Sequence, residues 1–163
     1  MNRFARLFVL SVAFAAPTLA LTYADVARAE DPAPDPKAVD KIKQFLEICV
    51  NTADLNEAGK KVVAAKLVQL SKIDKNDSSQ LNGDSLRFAF KKAHDNAKFY
   101  QVKITRVQET ATSAVGFGPT AQKGKLYKYF VAKKEGVNGM PAPIHVFFPE
   151  GGAEPVLYDF GSL

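Results

Sequence analysis

Cysteine and histidine are scarce in this chain, and their scarcity limits both its stabilisation and its chemistry. Cys49 is the only cysteine among 163 residues, so the chain cannot form an internal disulfide. His94 and His145 are the only histidines, and there is no HExxH, GxSxG or paired-cysteine motif. These absences argue against a disulfide-rich scaffold, a zinc protease and a GxSxG hydrolase. The sequence predicts neither a cofactor nor a metal site.

Long apolar runs are confined to the amino terminus. Met1 to Arg6 form a short basic start, and an apolar run from Leu7 to Ala16 ends at Pro17. Small residues occupy positions −3 and −1 before Glu30, in the sequence Ala27-Arg28-Ala29. This pattern is typical of a secretory signal peptide, residues 1–29. We therefore expect an exported protein, periplasmic or extracellular, with no stable membrane span after cleavage.

Two alternatives remain for this amino-terminal segment. Cleavage after Ala24 is compatible with Thr22 at position −3. An uncleaved anchor would need the whole stretch 7–24, which is about 18 residues and lies at the lower limit for a spanning helix. Pro17 and Thr18 interrupt that stretch, so they disfavour the anchor.

The rest of the chain has the composition of one globular domain. Hydrophobic residues make up 47% of the sequence and charged residues 24%, values that fit neither a disordered chain nor a multi-span membrane protein. Residues 30–36 (EDPAPDP) are predicted to form a Pro/acid linker, because they lack apolar periodicity. Residues 37–163 then form a single α+β domain, long enough to be stabilised by its own core.

Helical periodicity recurs three times before residue 99. Asp35 and Pro36 are suited to the N-cap and first position of a helix that ends near Asn51. Further helices are predicted over residues 57–73 and from Asp84 to about residue 98. The predicted buried stripes are Val39, Ile42, Phe45, Leu46 and Cys49; Val63, Leu67, Leu70 and Ile73; and Leu86, Phe90, Ala93 and Ala97. Cys49 is therefore expected to be a buried, inert thiol rather than a reactive one.

The polar loop 74–83 superficially follows the spacing of a calcium loop. Asp74, Asn76 and Ser78 stand at alternating positions. However, Ser79 occupies the position that needs glycine and Ser85 the position that needs a bidentate glutamate. A plain connection between helices is the better interpretation.

Strand periodicity follows the helices. Period-two alternation predicts strands over residues 100–105, 110–117, 125–133, 144–148 and 156–160, with a bulge or a strand end near Arg106. Short turns join them, and Asn138-Gly139 is a strong hairpin signal. The predicted fold is α+β, with three N-terminal helices packed on one face of a four- to five-stranded antiparallel meander. This element order is similar to that of cone-shaped NTF2-like and cystatin-like domains.

Aromatic side chains alternate along these strands. Tyr127, Tyr129 and Val131 share one face of their strand, and Lys128 and Phe130 share the other. The neighbouring faces are Ile144, Val146 and Phe148 against His145 and Phe147, and Val156, Tyr158 and Phe160 against Leu157 and Asp159. The pattern is compatible with helices on either face, because register decides which residues meet.

The leading functional hypothesis is a non-enzymatic binding or interaction module. Aromatic residues at strand spacing are ordinary core residues, but they can also line a pocket for a hydrophobic small molecule under a helical lid. The candidate lining residues are Tyr127, Tyr129, Phe130 and Phe147.

An acid/base enzyme is the alternative. If the helices cover the face that carries His145 and Asp159, a pocket between helices and sheet would hold an imidazole and a carboxylate suited to proton transfer. His94, beside Asp95 on a helix, is interpreted as an exposed surface residue.

Positive charge is concentrated in the middle of the chain. Residues 87–134 carry 11 basic residues against two acidic ones. A candidate anion-binding face, suited to an acidic envelope surface, comprises Lys91, Lys92, Lys98, Lys103 and Arg106. A solvated surface explains the same residues, and strand lysines also protect sheet edges. Nucleic acid is disfavoured, since no reader motif is present and export is expected.

Overall fold

A computed structural model of the protein describes residues 31–163. The predicted signal peptide lies outside these described residues. The helices fall between residues 36 and 99, and a five-stranded antiparallel sheet follows them. The α+β prediction is therefore confirmed at this level.

The elements have the following bounds. The helices are α1 (Pro36–Asn51), α2 (Leu55–Ala64) and α3 (Lys91–Asn96). A π-helical segment, Ser85–Phe90, leads into α3, and a 3-10 turn, Ala97–Phe99, follows it. The strands are β1 (Tyr100–Glu109), β2 (Ala114–Val115), β3 (Gln122–Lys133), β4 (Ala142–Pro149) and β5 (Val156–Asp159).

Helix α1 begins and ends where its sequence predicts. The Oδ1 atom of Asp35 accepts hydrogen bonds from the backbone N–H groups of Lys37, at 2.8 Å, and Ala38, at 3.1 Å. Pro36, which has no N–H to satisfy, takes the first helical position. The buried stripe includes Cys49, whose pKa is raised by burial to about 12, so the group is a neutral thiol at physiological pH.

Helix α2 is shorter than predicted, and the expected helix over residues 57–73 is wrong in its second half. Lys66 adopts a positive φ of 53° and ends the helix. Beyond it the chain is extended against β5, where the backbone of Leu157 donates to the carbonyl of Leu67 at 2.7 Å and accepts from Gln69 at 3.0 Å. Leu70, expected in the buried stripe, is 52% exposed. Hydrogen bonding to a sheet edge has replaced helical hydrogen bonding here.

The third helical region is capped by Asn82 rather than by Asp84. The backbone N–H of Ser85 donates to Asn82 Oδ1 at 2.8 Å, whereas the side chain of Asp84 makes no capping hydrogen bond. Phe90 and Ala93 are buried as expected.

The sheet is a meander with strand order β1-β3-β4-β5, and β2 also pairs with β3. Of the two alternatives near Arg106, the structure has the bulge: a register shift lies between Ile104 and Arg106, and β1 continues to Glu109. The turn between β3 and β4 is closed by a hydrogen bond from Val137 N–H to Lys134 O, and its centre therefore precedes the predicted Asn138-Gly139 pair.

The main core lies between the helices and the sheet face that carries Tyr129, Val131 and Ile144. At its centre the rings of Phe45, Phe90 and Phe160 have centroids 4.9 to 6.2 Å apart. A smaller cluster on the opposite face contains Val115, Leu126 and Phe147. The helices thus cover the face of β3 that carries Tyr127 and Tyr129. Strand alternation alone does not determine which face is covered.

Strand β5 does not follow the predicted alternation. His145 pairs with Asp159, and the next residue, Val146, pairs with Leu157. Strand β5 therefore holds one extra residue, Tyr158, between these two pairs. Because of this bulge, Phe160 enters the main core although Val156, expected on the same face, lies against the smaller cluster.

Candidate functional site

A cavity of about 490 Å³ lies at one end of the sheet. Its walls come from β1, β3, β4 and the extended segment 32–35, which runs into α1. The lining residues are Pro32, Ala33, Asp35, Val107, Gly124, Lys125, Tyr127, Tyr129, Phe148, Pro149 and Glu150. This volume lies within the range of small-molecule binding sites.

Aromatic rings from two adjacent strands form the floor of the cavity. Tyr127 and Phe148 contact each other edge to face, with ring centroids 5.3 Å apart. Tyr129 is 2% exposed, and its hydroxyl oxygen accepts a hydrogen bond from the backbone N–H of Asp35 at 3.3 Å. Burial raises the pKa of Tyr129, so the hydroxyl stays protonated and can still donate to a ligand.

Charged groups surround this apolar floor. Lys125 Nζ lies 3.2 Å from Glu109 Oε1, and this hydrogen bond raises the pKa of the lysine, which keeps it charged. One carboxylate oxygen of Asp35, Oδ1, accepts hydrogen bonds from the N–H groups of Lys37 and Ala38 as the N-cap of α1. Glu150 is an exposed residue in the turn after β4. A ligand in the cavity would therefore meet an apolar surface below and polar groups at the edge.

Gly124 allows β3 and β4 to approach closely beside the cavity. A Cβ atom there would lie 2.1 Å from the carbonyl oxygen of Phe148 and 2.7 Å from the ring of Phe147. No side chain fits this position without moving the backbone. Glycine is therefore required for the ring of Phe147 to lie across β3.

Two of the four predicted lining residues are in the cavity. Tyr127 and Tyr129 line it, whereas Phe130 and Phe147 lie on the opposite face of the sheet and do not. Phe147 is fully buried in the smaller cluster, and the Phe130 ring lies 5.5 Å from the guanidinium of Arg106. The correction follows from period-two geometry, since only alternate residues of a strand can share one face.

The structure brings the two residues of the predicted acid/base pair together. His145 Nδ1 lies 3.6 Å from Asp159 Oδ2 on the sheet face away from the helices. The helix side of β4 is occupied by Ile144 and Val146. Neither His145 nor Asp159 lines the aromatic cavity. Asp159, but not His145, lines a second and more open cavity beside the π-helical segment and α3, together with Arg87 and Lys91. The use of His145 and Asp159 in acid/base chemistry stays a prediction.

One of the two ring nitrogens of His145 is closed to solvent. Its Nδ1 is buried and makes no hydrogen bond to the described residues. Burial lowers the pKa of His145, Asp159 raises it, and Lys128 lowers it further. The ring is therefore mainly neutral near physiological pH, and its buried nitrogen is closed to a ligand.

His94 is less exposed than its sequence context suggests. Its side chain is 13% exposed, and Nε2 lies 2.7 Å from the carbonyl oxygen of Thr52. The ring also lies 3.7 Å from Asp95. His94 therefore connects α3 to the end of α1, and the surface interpretation is wrong.

The residues of the predicted anion-binding face are mostly engaged with neighbours. Lys91 pairs with Asp95 at 2.6 Å, and Arg106 pairs with Asp31 at 3.0 Å. Lys92 donates to the carbonyl of Gly161, and Lys98 lies over the ring of Phe99. Lys103 is exposed on β1. The anion-binding face stays a prediction.

Sequence patterns identified two of the eleven residues that line the cavity, Tyr127 and Tyr129. Val107, Phe148 and Pro149 enter it through strand register, and Pro32 and Ala33 enter it because segment 32–35 folds back across the sheet. Phe148 shares a face of β4 with Ile144 and Val146. Its place in the cavity can therefore be predicted once it is known that the helices cover that face. Nothing in the composition of segment 32–35 indicates its position.

Fold and cavity together define a small α+β domain with an aromatic-floored site. Compared with protein-family models, curated proteins and solved structures, the chain gives no significant match to any of them. Within residues 31–163, no helix has the length and apolar character needed to cross a bilayer. The same residues contain no cluster of three or more His, Cys, Asp or Glu side chains placed for a metal ion.

Proposed function

We propose that this protein is a non-enzymatic, exported binding module that holds a small hydrophobic ligand in the aromatic cavity. The single observation that carries the proposal is a cavity of about 490 Å³ with Tyr127, Tyr129 and Phe148 at its base. Ligand sites usually have an apolar floor and a small number of polar groups around it. Export is supported by the basic start, apolar run and small residues of the amino-terminal 29 positions.

We also propose a cone-shaped arrangement of the NTF2-like or cystatin-like kind. It is supported by the order of helices before a meander and by a cavity at one end of the sheet.

The binding proposal is tested with an uncharged fluorescent probe, N-phenyl-1-naphthylamine, titrated into the purified protein. Saturable binding with enhanced fluorescence is expected. Ala33→Phe should weaken it by about tenfold, because the new ring would fill the cavity from a segment outside the core, and a tenfold change corresponds to about 1.4 kcal/mol. Ala53→Phe, at an exposed position between α1 and α2, is the matched control and should leave binding unchanged.

A second pair of variants locates the probe on the sheet. Tyr127→Ala removes part of the cavity floor and should reduce affinity, whereas Phe130→Ala removes an aromatic ring from the opposite face and should not. Equal effects of the two variants, or no saturable binding by the unaltered protein, would show that the cavity is not the site.

A further inference from the structure

The charges around the cavity are unequal in sign. The lining includes two carboxylates, Asp35 and Glu150, and one lysine, Lys125. Lys125 is held by Glu109, which lies just outside the lining, at 3.2 Å. Within residues 31–163, neither Asp35 nor Glu150 forms an ion pair. A ligand would therefore meet an excess of negative charge.

The amino terminus of α1, which could otherwise attract an anion, is already satisfied. The N–H groups of Lys37 and Ala38 donate to Asp35 Oδ1, and that of Val39 donates to the Asp35 carbonyl at 3.0 Å. Lys37 itself points to Glu154, with its Nζ 2.9 Å from Oε1. Asp35 Oδ2 makes no hydrogen bond to any described residue, so it remains an acceptor beside the cavity.

The floor of the cavity is suited to a cation as well as to apolar groups. The negative π faces of aromatic rings attract ammonium groups, most strongly where water is excluded. Tyr127, Tyr129 and Phe148 place three such rings in one cavity with the Asp35 carboxylate. Apolar area and cation attraction are thus combined at one site.

From this combination we propose that the cavity selects ligands with an aromatic or apolar body and a positively charged ammonium group. The inference rests on the proposed binding function and adds the chemical class of the ligand. The body would lie on the half-buried rings of Tyr127 and Phe148, and the ammonium group would be directed to Asp35 Oδ2 and Glu150.

The test uses three naphthyl compounds of similar size that differ in charge. These are 1-naphthylmethylammonium, 1-naphthalenemethanol and 1-naphthoate, each titrated near neutral pH with naphthyl anisotropy as the signal. The chain contains no tryptophan, so the naphthyl emission can be excited selectively. We expect the ammonium compound to bind about fivefold more tightly than the alcohol, and the carboxylate to bind most weakly. The preference should shrink as salt is added, since exposed carboxylates are screened.

Asp35→Asn isolates the contribution of the carboxylate. Asparagine caps helices as well as aspartate does, so α1 should be retained while the charge is lost. Within this variant the ammonium compound should lose most of its advantage over the alcohol, so the readout is the ratio of the two dissociation constants. Asp54→Asn is the matched control, because Asp54 caps α2 through the N–H of Glu57 and does not line the cavity.

The outcomes separate the two proposals. If the three compounds bind equally, or the carboxylate binds best, the charge preference is refuted and the binding function stands. If none of them binds and the uncharged probe also fails, both proposals are refuted.

Discussion

We expect the half-buried residue His145 to couple folding stability to pH. It lies between Lys128 and Asp159 on neighbouring strands, and its Nδ1 has no hydrogen-bond partner among the described residues. Burial is the largest cause of its lowered pKa, followed by the opposing effect of Asp159 and the additional lowering by Lys128. The folded protein therefore binds a proton at His145 less readily than the unfolded chain does.

The sign of the resulting pH dependence follows directly. Above the ordinary histidine pKa of 6.5, residue 145 is neutral in both the folded and the unfolded state, and its contribution to folding stability is fully present. As the pH falls below 6.5 the unfolded chain takes up a proton first, so folding stability is lost until the lowered folded-state pKa is passed. His145→Gln should flatten the fall in unfolding free energy between neutral pH and about pH 5. Urea denaturation at several pH values measures the unfolding free energy of both proteins. A steeper fall in the variant would contradict a lowered pKa of His145 in the folded state.

At the scale of elements, the end of α2 is a capping motif with an unusual residue. The N–H of Leu67 donates to Val62 O and that of Lys66 donates to Val63 O, the hydrogen-bond pattern of a Schellman motif. Its left-handed position is normally glycine, but here Lys66 has a φ of 53°. The missing glycine explains why the sequence predicts a helix that continues.

Replacing that lysine should therefore stabilise the fold. Lys66→Gly removes the steric cost of a left-handed conformation, and we expect a gain of about 0.5–1 kcal/mol in unfolding free energy. Ala64→Gly, inside the same helix, should have the opposite sign and cost about 0.5–1 kcal/mol. Chemical denaturation of the two variants decides the matter, and a loss of stability in both would argue against the capping geometry.

For the whole molecule, the core depends on residues that are distant in sequence. The Phe160 ring, just after β5, lies 4.9 Å from that of Phe45 in α1 and 6.2 Å from that of Phe90 in the π-helical segment. These contacts join the two ends of the domain through one aromatic cluster. Phe160, just after β5, is therefore part of the core of the fold.

Removing one of these rings should destabilise the entire domain. Phe160→Ala is expected to cost about 3–5 kcal/mol, from lost burial and from the cavity left behind. Phe130→Ala, at a half-buried position on the other sheet face, should cost clearly less. Thermal or urea unfolding of both variants tests this order, and equal losses would show that the aromatic cluster is not the centre of stability.

Local patterns were sufficient to predict much of this architecture. Helix α1, from its Asp35 cap to Asn51, the alternation along β3 and β4, and a backbone irregularity near Arg106 all appear as expected. Each depends on periodicity or capping within a few residues, and backbone geometry converts such patterns directly into structure. The inclusion of Tyr127 and Tyr129 in a cavity was predicted from the same alternation.

Tertiary structure alone decided where the site lies. The sequence determined that aromatic residues alternate on β3 and β4, but both faces of each strand carried enough apolar residues to be covered. The helices cover one face, the bulge at Tyr158 redirects β5, and segment 32–35 folds against Tyr129 through a single hydrogen bond. These outcomes depend on contacts between distant parts of the chain, which the periodicity of one segment does not encode.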